Sequence, residues 1–374
     1  MDQQSKVTYL IDTAEIEEQA WKQISKAANV PAIENLIVLP DVHTGYELPI
    51  GSVARVNGYI WPGAVGYDIG CGMSHVDTGL DPDFVQQDPQ LYYNLIHGQT
   101  PTGPDMHPNR PRDMVFSSAS RDAKLNEFVN SRLRQLGTLG GGNHFIELGV
   151  SQNQGTLGIT IHSGSRKPGH SIAEYWMERA KEEGINVGGF YMFGANSPLG
   201  QAYYEDMKWA LAFAYDNRKQ MMLTILDILG IHDEEELNDI GMINESHNHA
   251  WKQEDNTVLH RKGATPAETG QWGVIPGNQR DGTVITCGLG NEAYECSASH
   301  GAGRTMSRTK AKKNLDPEQF KTEMFRAGVT CDTSKGKLDE APGAYKNFLD
   351  VLDYQEGVVV DIIDKYNPFL VIKG

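Results

Sequence analysis

A chain of 374 residues with 39% hydrophobic and 22% charged residues and 40 glycines is a turn-rich globular protein, not a disordered or fibrous one. Its 33 basic and 49 acidic residues leave a formal charge of -16, which excludes uniform coating of nucleic acid but leaves room for a local basic groove. No segment reaches the ~18 consecutive apolar residues of a membrane span, and no basic flank precedes an apolar N-terminal core, so a cytoplasmic protein with no membrane partner is expected.

Ile16, Ala20, Trp21 and Ile24 recur at spacings of three and four, which predicts an amphipathic helix opening after Asp12 and Thr13. The run LIVLP reads as a buried strand ending at Pro40. Between Val42 and Gly72, glycines at 45, 51, 58, 63, 66, 70 and 72 divide short apolar runs into hairpin-like pieces. GITIHSG predicts a β-branched strand entering a glycine turn, and Gln201 to Leu229 a long helix. After Gln271 the chain returns to strand and turn, and its last thirty or so residues read as helices followed by a final strand. With no repeat or low-complexity linker, one α+β domain spanning 1–374 is expected.

The polar residues cluster at strand ends and turns. Four cysteines without a CxxC pair suggest neither a disulfide framework nor a zinc ribbon. Asp68 and Cys71, three positions apart on a glycine turn, suit a shared cation, with a thiolate able to bridge two; the alternative is a structural cysteine beside a turn aspartate. GTLGGGNHFIE lacks the Lys and Ser/Thr of a P-loop, yet its open amides and Asn143 could cradle phosphate; it reads equally as a hairpin loop with a surface His144. His162 and Arg166 emerge at one strand end, as a metal ligand beside a phosphate clamp or as a strand-capping histidine. His247 and His249 point to opposite faces if extended, leaving one as a ligand. Asp68, Cys71, His144, His162 and His247 together form a plausible two-metal set. Asp41 and His43 stand at another strand end, and Lys373 is one residue from the end of the chain. Arg304, Arg308, Lys310, Lys312 and Lys313 form an acid-free basic run, whereas His232 to Asp239 concentrates negative charge.

These motifs together resemble the RtcB family of RNA-splicing ligases. The resemblance runs in order through PDVHTG (40–45), PIGSVA (49–54), VGYDIGCGM (65–73), GTLGGGNHFIE (137–147), HSGSR (162–166), SHNHA (246–250), HRKGATPA (260–267), SHGAGRTMSRTKAKK (299–313), EAPGAYK (340–346) and the terminal VIKG. The pattern is closer to the bacterial branch than to the archaeal one. It implies an enzyme that joins RNA 3'-phosphate or 2',3'-cyclic phosphate ends to 5'-hydroxyl ends using GTP and Mn2+, in RNA repair or tRNA splicing, with an activating protein as a conceivable partner.

Carried over by motif, the resemblance implies that His300 takes GMP as a phosphoramidate while Asp41 orients its ring. Cys71 would bridge two Mn2+ ions, one completed by His162 and His247, the other by Asp68 and His144. The GTP site would draw on Asn143, Phe145, Glu147, His247, Asn248, Thr283, His300, Ala302, Gly303, Tyr345 and Lys373. Glu147 would accept from guanine N1 and N2, and Arg166, Arg304 and Arg308 would hold RNA phosphates. Gly301 to Gly303 would be small to admit phosphate to the backbone. Two departures stand out: Glu47 occupies a position where many relatives carry a small residue, and PGNQRDGTVITCG replaces the usual PGSMGTASY pattern, with Thr283 standing in for a serine. The competing readings are a dinuclear metal-dependent phosphoesterase and a noncatalytic RNA-end-binding protein.

Overall fold

A computed structural model describes residues 6–109, 118–231 and 241–374; the acidic run 232–239 lies outside the described residues. The architecture is mixed α+β, and two sheets dominate it. The first has five strands in the order Val7–Tyr9, Ile33–His43, Ile50–Asn57, Thr257–Lys262, Asn248–Lys252. The second runs Ile243–Ser246, Gly72–Asp77, Leu157–Ser163, Phe145–Ser151, Val360–Lys373, Thr283–Gly288, Trp272–Pro276, with Thr330–Cys331 pairing beside the long C-terminal strand. Its two ends meet, which makes it nearly closed and barrel-like.

The long helix Pro198–Ile228 starts where Ser197 accepts from the Gly200 amide and proline occupies the first turn. Its buried stripe of Tyr203, Met207, Ala210, Ala214, Asn217, Met221 and Ile225 follows the three-and-four spacing of one helical face. The far end of that stripe packs on Ile146, Ile159 and Ile161 of the second sheet. On the first sheet, Ala20, Ile24 and Ala27 of the helix Glu18–Ala28 pack on Ile33, Val38 and Val56. No helix among the described residues is long and apolar enough to cross a membrane.

Four local expectations are corrected. The N-terminal helix does not open at Thr13: Asp12 accepts from the Ala14 amide and caps a short 3-10 turn, Thr13–Glu15, and the α-helix starts at Glu18. Trp21 is not a core residue; it is 40% exposed and stacks on Tyr9. Within the glycine-rich stretch, Pro62–Val65 is a helical turn and not a hairpin arm. The strand expected to end at Pro40 continues to His43, because proline's missing N–H falls in an irregularity of the ladder. Val38 pairs with Ser52 and His43 with Ile50, so residues 39–42 bulge away from their neighbour.

That bulge delivers Asp41 to the site, and Gly51 makes it possible. Gly51 has φ +81°, and a Cβ there would lie 2.6 Å from Asp41 Oδ1 and 2.9 Å from the Val42 backbone. Gly51→Ala is therefore expected to cost about 1–3 kcal/mol through backbone strain, read as a lowered urea midpoint with an unchanged slope. An unaltered midpoint would show that the bulge tolerates a side chain.

Candidate active site

Two groups of metal-ligating side chains meet at Cys71. Its Sγ lies 3.2 Å from His162 Nε2 and 3.5 Å from His144 Nε2. His162 Nε2 is 3.3 Å from His247 Nε2, and His144 Nε2 is 3.0 Å from Asp68 Oδ2. Cys71–His162–His247 and Asp68–Cys71–His144 thus each bring three ligand atoms within 4.8 Å, with the sulfur common to both.

Local structure orients each of these donors. His144 Nδ1 donates to the Leu139 carbonyl at 2.9 Å and His162 Nδ1 to the Asn143 carbonyl at 3.3 Å, which turns the lone pair of each Nε2 toward the sulfur. Burial, then the facing imidazoles, hold His162 and His247 well below the usual histidine range, so both are neutral donors. Burial, followed by the Asp68 charge, pushes the Cys71 thiol well above its usual range, so the thiolate requires a cation beside it. Fully buried Arg218 donates to the carbonyls of Gly70 and Ser163 at 2.8 and 2.9 Å, fixing the turn of Cys71 and the strand end after His162. Gly70, at φ +74°, lets this turn approach the long helix, since a Cβ would stand 2.8 Å from Ala214 Cβ. The donor set fits a pair of divalent ions sharing a thiolate.

His300 stands next to this centre, its ring 4.7 Å from that of His247 in an edge contact. It follows the strand Ser297–Ser299, which pairs with Ala264–Pro266. Its Nδ1 donates to Asp41 Oδ2 at 2.6 Å, and its main-chain amide donates to the same oxygen at 3.1 Å. Asp41 is fully buried. The bond commits Nδ1 as a donor and leaves the lone pair on Nε2, the arrangement required of an imidazole nucleophile.

A pocket opens beside His300. Of the residues expected to hold nucleotide, Asn143, Phe145, Glu147, Ala302, Gly303, Tyr345 and Lys373 line it with His300. Burial pushes the Glu147 carboxyl up to about 7, opposed by a 2.8 Å hydrogen bond from Thr283 Oγ1 and by the Lys373 charge. Lys373 Nζ lies 4.9 Å from the centre of the Phe145 ring.

The family profile described as tRNA-splicing ligase RtcB matches residues 23–127 and 112–374. The chain belongs to the RtcB family. The RNA-splicing ligase RtcB of Escherichia coli K12 is 33% identical over 96% of this chain and 95% of that protein. The tRNA-splicing ligase RtcB of Archaeoglobus fulgidus is 29% identical over 96% and 92%, and an RtcB homolog of Entamoeba dispar is 28% identical over 94% and 81%.

Other residues singled out by the RtcB pattern sit behind the pocket wall. Thr283 reaches the pocket only through Glu147. The Asn248 side-chain amide donates to the Asp68 carbonyl at 3.1 Å and accepts from the Gly263 amide at 2.8 Å, tying the Asp68–Cys71 turn to the start of Ala264–Pro266, the strand paired with the one that leads into His300. Arg166, at φ +55°, donates to Thr138 Oγ1 and the Gly103 carbonyl, and its guanidinium fills the space where a Gly140 side chain would stand. Gly303, which lines the pocket, is also held to glycine by the backbone: at φ +72°, a Cβ would come within 2.3 Å of the Asp41 carbonyl. Glu47, the departure from the RtcB pattern, accepts from Trp61 Nε1 at 2.6 Å over Gly63 and does not line the pocket.

His43 and Gln279 line the pocket, and Glu340 anchors it, although the residue pattern gave none of them a role. His43 Nδ1 donates to the Asp41 carbonyl at 2.9 Å, and desolvation pushes this histidine down to about 4, so it faces the pocket as a neutral ring. Its sequence signal was the DVH run at a strand end.

Because a cation that binds only the folded chain stabilises it, divalent metal should raise the thermal unfolding temperature. In Cys71→Ala most of that rise, and the bound metal measured after dialysis, is expected to disappear. Full metal content in the variant would exclude the shared sulfur.

Proposed function

We propose that this chain is a GTP-dependent RNA ligase that joins 3'-phosphate or 2',3'-cyclic phosphate ends to 5'-hydroxyl ends through GMP held on His300. The observation that carries the reading is the Asp41–His300 bond beside the Cys71 centre. It presents an oriented imidazole to a pocket lined by Phe145, Glu147, Tyr345 and Lys373, next to candidate ligands for the cations that polyphosphate chemistry needs.

In this reading His300 Nε2 attacks the α-phosphorus of GTP, forming a P–N bond as pyrophosphate leaves. Buried Asp41 accepts the Nδ1 hydrogen bond throughout and stabilises the cationic ring that forms. A 3'-phosphate oxygen of RNA then displaces His300, giving an RNA-guanylate anhydride. The 5'-hydroxyl oxygen attacks the 3'-phosphorus and GMP leaves with the bonding pair. A cyclic phosphate is first hydrolysed to the 3'-phosphate. Two Mn2+ ions, held by His162, His247, Asp68, His144 and the shared Cys71, would neutralise phosphate charge during these displacements.

Phe145, Glu147, Tyr345 and Lys373 form the guanine end, with Asn143 and the Ala302–Gly303 backbone toward the phosphates. Arg304 and Arg308 are the RNA-phosphate residues nearest this site, and Arg166 acts through the Gly140 loop. Contributions from Asp41 through Lys373 support treating 1–374 as one catalytic unit. A cytoplasmic location accords with four free cysteines, since a bridging thiolate requires a reducing compartment.

Incubation with GTP labelled at the α-phosphate and Mn2+ is expected to label the wild-type chain, acid-labile as a phosphoramidate is, and to leave His300→Ala unlabelled. A wild-type chain that hydrolyses phosphoesters without taking label is instead a dinuclear phosphoesterase.

Guanine N1 and N2 are hydrogen-bond donors, so binding favours the ionised form of Glu147. With that carboxyl pushed up to about 7, its protonated fraction grows as pH falls through neutrality. The KM for GTP in the labelling reaction should therefore rise between about pH 8 and pH 6, approaching about tenfold per unit below the pKa. A KM that stays flat over this range would remove Glu147 from guanine recognition.

A further inference from the structure

Glu340 is 2% exposed, and each of its carboxylate oxygens serves a different group of residues. Oε1 accepts from Arg304 Nη1 at 3.2 Å and from Arg308 Nη1. Oε2 accepts from Tyr345 OH at 2.6 Å and from Lys373 Nζ at 2.8 Å. Burial would raise this carboxyl, but Lys373 and then Arg308 overcome it and hold it down to about 2. The main chain takes part as well: the Glu340 carbonyl accepts from Gln279 Nε2 at 2.8 Å, and the Asp339 carbonyl from Arg304 Nη2 at 2.6 Å.

The proposed function gives Tyr345 and Lys373 to the nucleotide and Arg304 and Arg308 to the RNA phosphate. We propose that Glu340 is the positioning residue that couples these two ends, with Oε1 setting the phosphate-binding arginines and Oε2 setting the nucleotide-binding pair. The coupling rests on that reading of the site.

The physical basis is competition for one buried charge. Arg304, Arg308, Lys312 and Lys373 surround two carboxylates, Asp339 and Glu340, so the cluster is two positive charges in surplus before any phosphate arrives. Removing a cation from one oxygen leaves the carboxylate less neutralised, so it holds the cation on the other oxygen more tightly and withholds it from ligand. Lys373 neutralised by nucleotide acts in the same direction as Lys373 removed. Arg308 is the more exposed member, its side chain 39% exposed against 12% for Arg304, and also reaches Asp339 Oδ2 at 3.0 Å.

Coupling through Glu340 predicts cross-effects between residues that share no ligand. Arg308→Met should raise the KM for GTP in His300 labelling, and Lys373→Met should raise the KM for the RNA 3'-phosphate measured with enzyme already carrying GMP. Each shift is expected to be about tenfold, the size of one charge-assisted hydrogen bond. In a Glu340→Gln background both cross-effects should vanish, while thermal unfolding and bound metal confirm that the variants fold; Glu340→Met, which also removes the charge, is the substitute if the glutamine variant does not fold. A carboxylate that served folding alone would lower stability or kcat without linking the two KM values. Absence of the cross-effects in the otherwise wild-type chain, or their persistence in Glu340→Gln, overturns the proposal. A wild-type chain that never takes label from GTP overturns the ligase reading, and the coupling falls with it.

Discussion

A fully buried carboxylate, Asp41, holds the ring of His300 and its main-chain amide through a single oxygen, and much of the surrounding backbone serves that contact. Its other oxygen, Oδ1, has no hydrogen-bond partner among the described residues. A buried carboxylate in that state is costly unless it meets a cation, so a cationic imidazole is a better partner for Asp41 than a neutral one. In the proposed reaction, the positive charge that develops on the ring as Nε2 bonds to phosphorus would therefore improve the pairing. Gly51 and Gly303 keep the backbone on both sides of Asp41 close enough to hold it there, and the bulge at Pro40 turns its side chain away from the ladder.

The second organising feature is charge arranged by distance. The Cys71 centre concentrates candidate metal-ligating donors, and the Glu340 cluster concentrates cations, with the pocket between them. In the proposed reaction a triphosphate would meet both, one through metal and the other through guanidinium and ammonium groups. This explains how a chain with a formal charge of -16 can handle nucleic acid: its local electrostatics at the site oppose its net charge.

The sequence was most informative where residue chemistry is rare. A cysteine between two glycines with an aspartate three positions earlier, and histidines at strand ends, have few structural uses, so the five candidate ligands stood out before their convergence was visible. Strand and helix types followed from periodicity, as in the stripe of Pro198–Ile228. Boundaries did not, because Asp12 capping a 3-10 turn and Pro40 within a ladder irregularity are decided by neighbours distant in the chain. Glu340 was illegible for the same reason. An acidic residue in a loop is ordinarily solvated, and nothing in EAPGAYK reveals that arginines 36 and 32 residues earlier and a lysine 33 residues later converge on it. Arg166 and Asn248 were legible as important residues but not as backbone fasteners, since their partners are main-chain groups that carry no residue identity.

The strand Val360–Lys373 lies between Phe145–Ser151 and Thr283–Gly288, both of which precede it in the chain. As the chain leaves the ribosome, every metal ligand has been made before this strand exists, yet Lys373 and the wall on which Phe145 and Glu147 sit cannot be completed without it. Until it inserts, two strands carry open edges, the condition under which chains pair with one another and not with themselves. The candidate metal centre can therefore be assembled ahead of the proposed nucleotide chamber, and metal captured early would hold the unfinished sheet in register while this strand arrives.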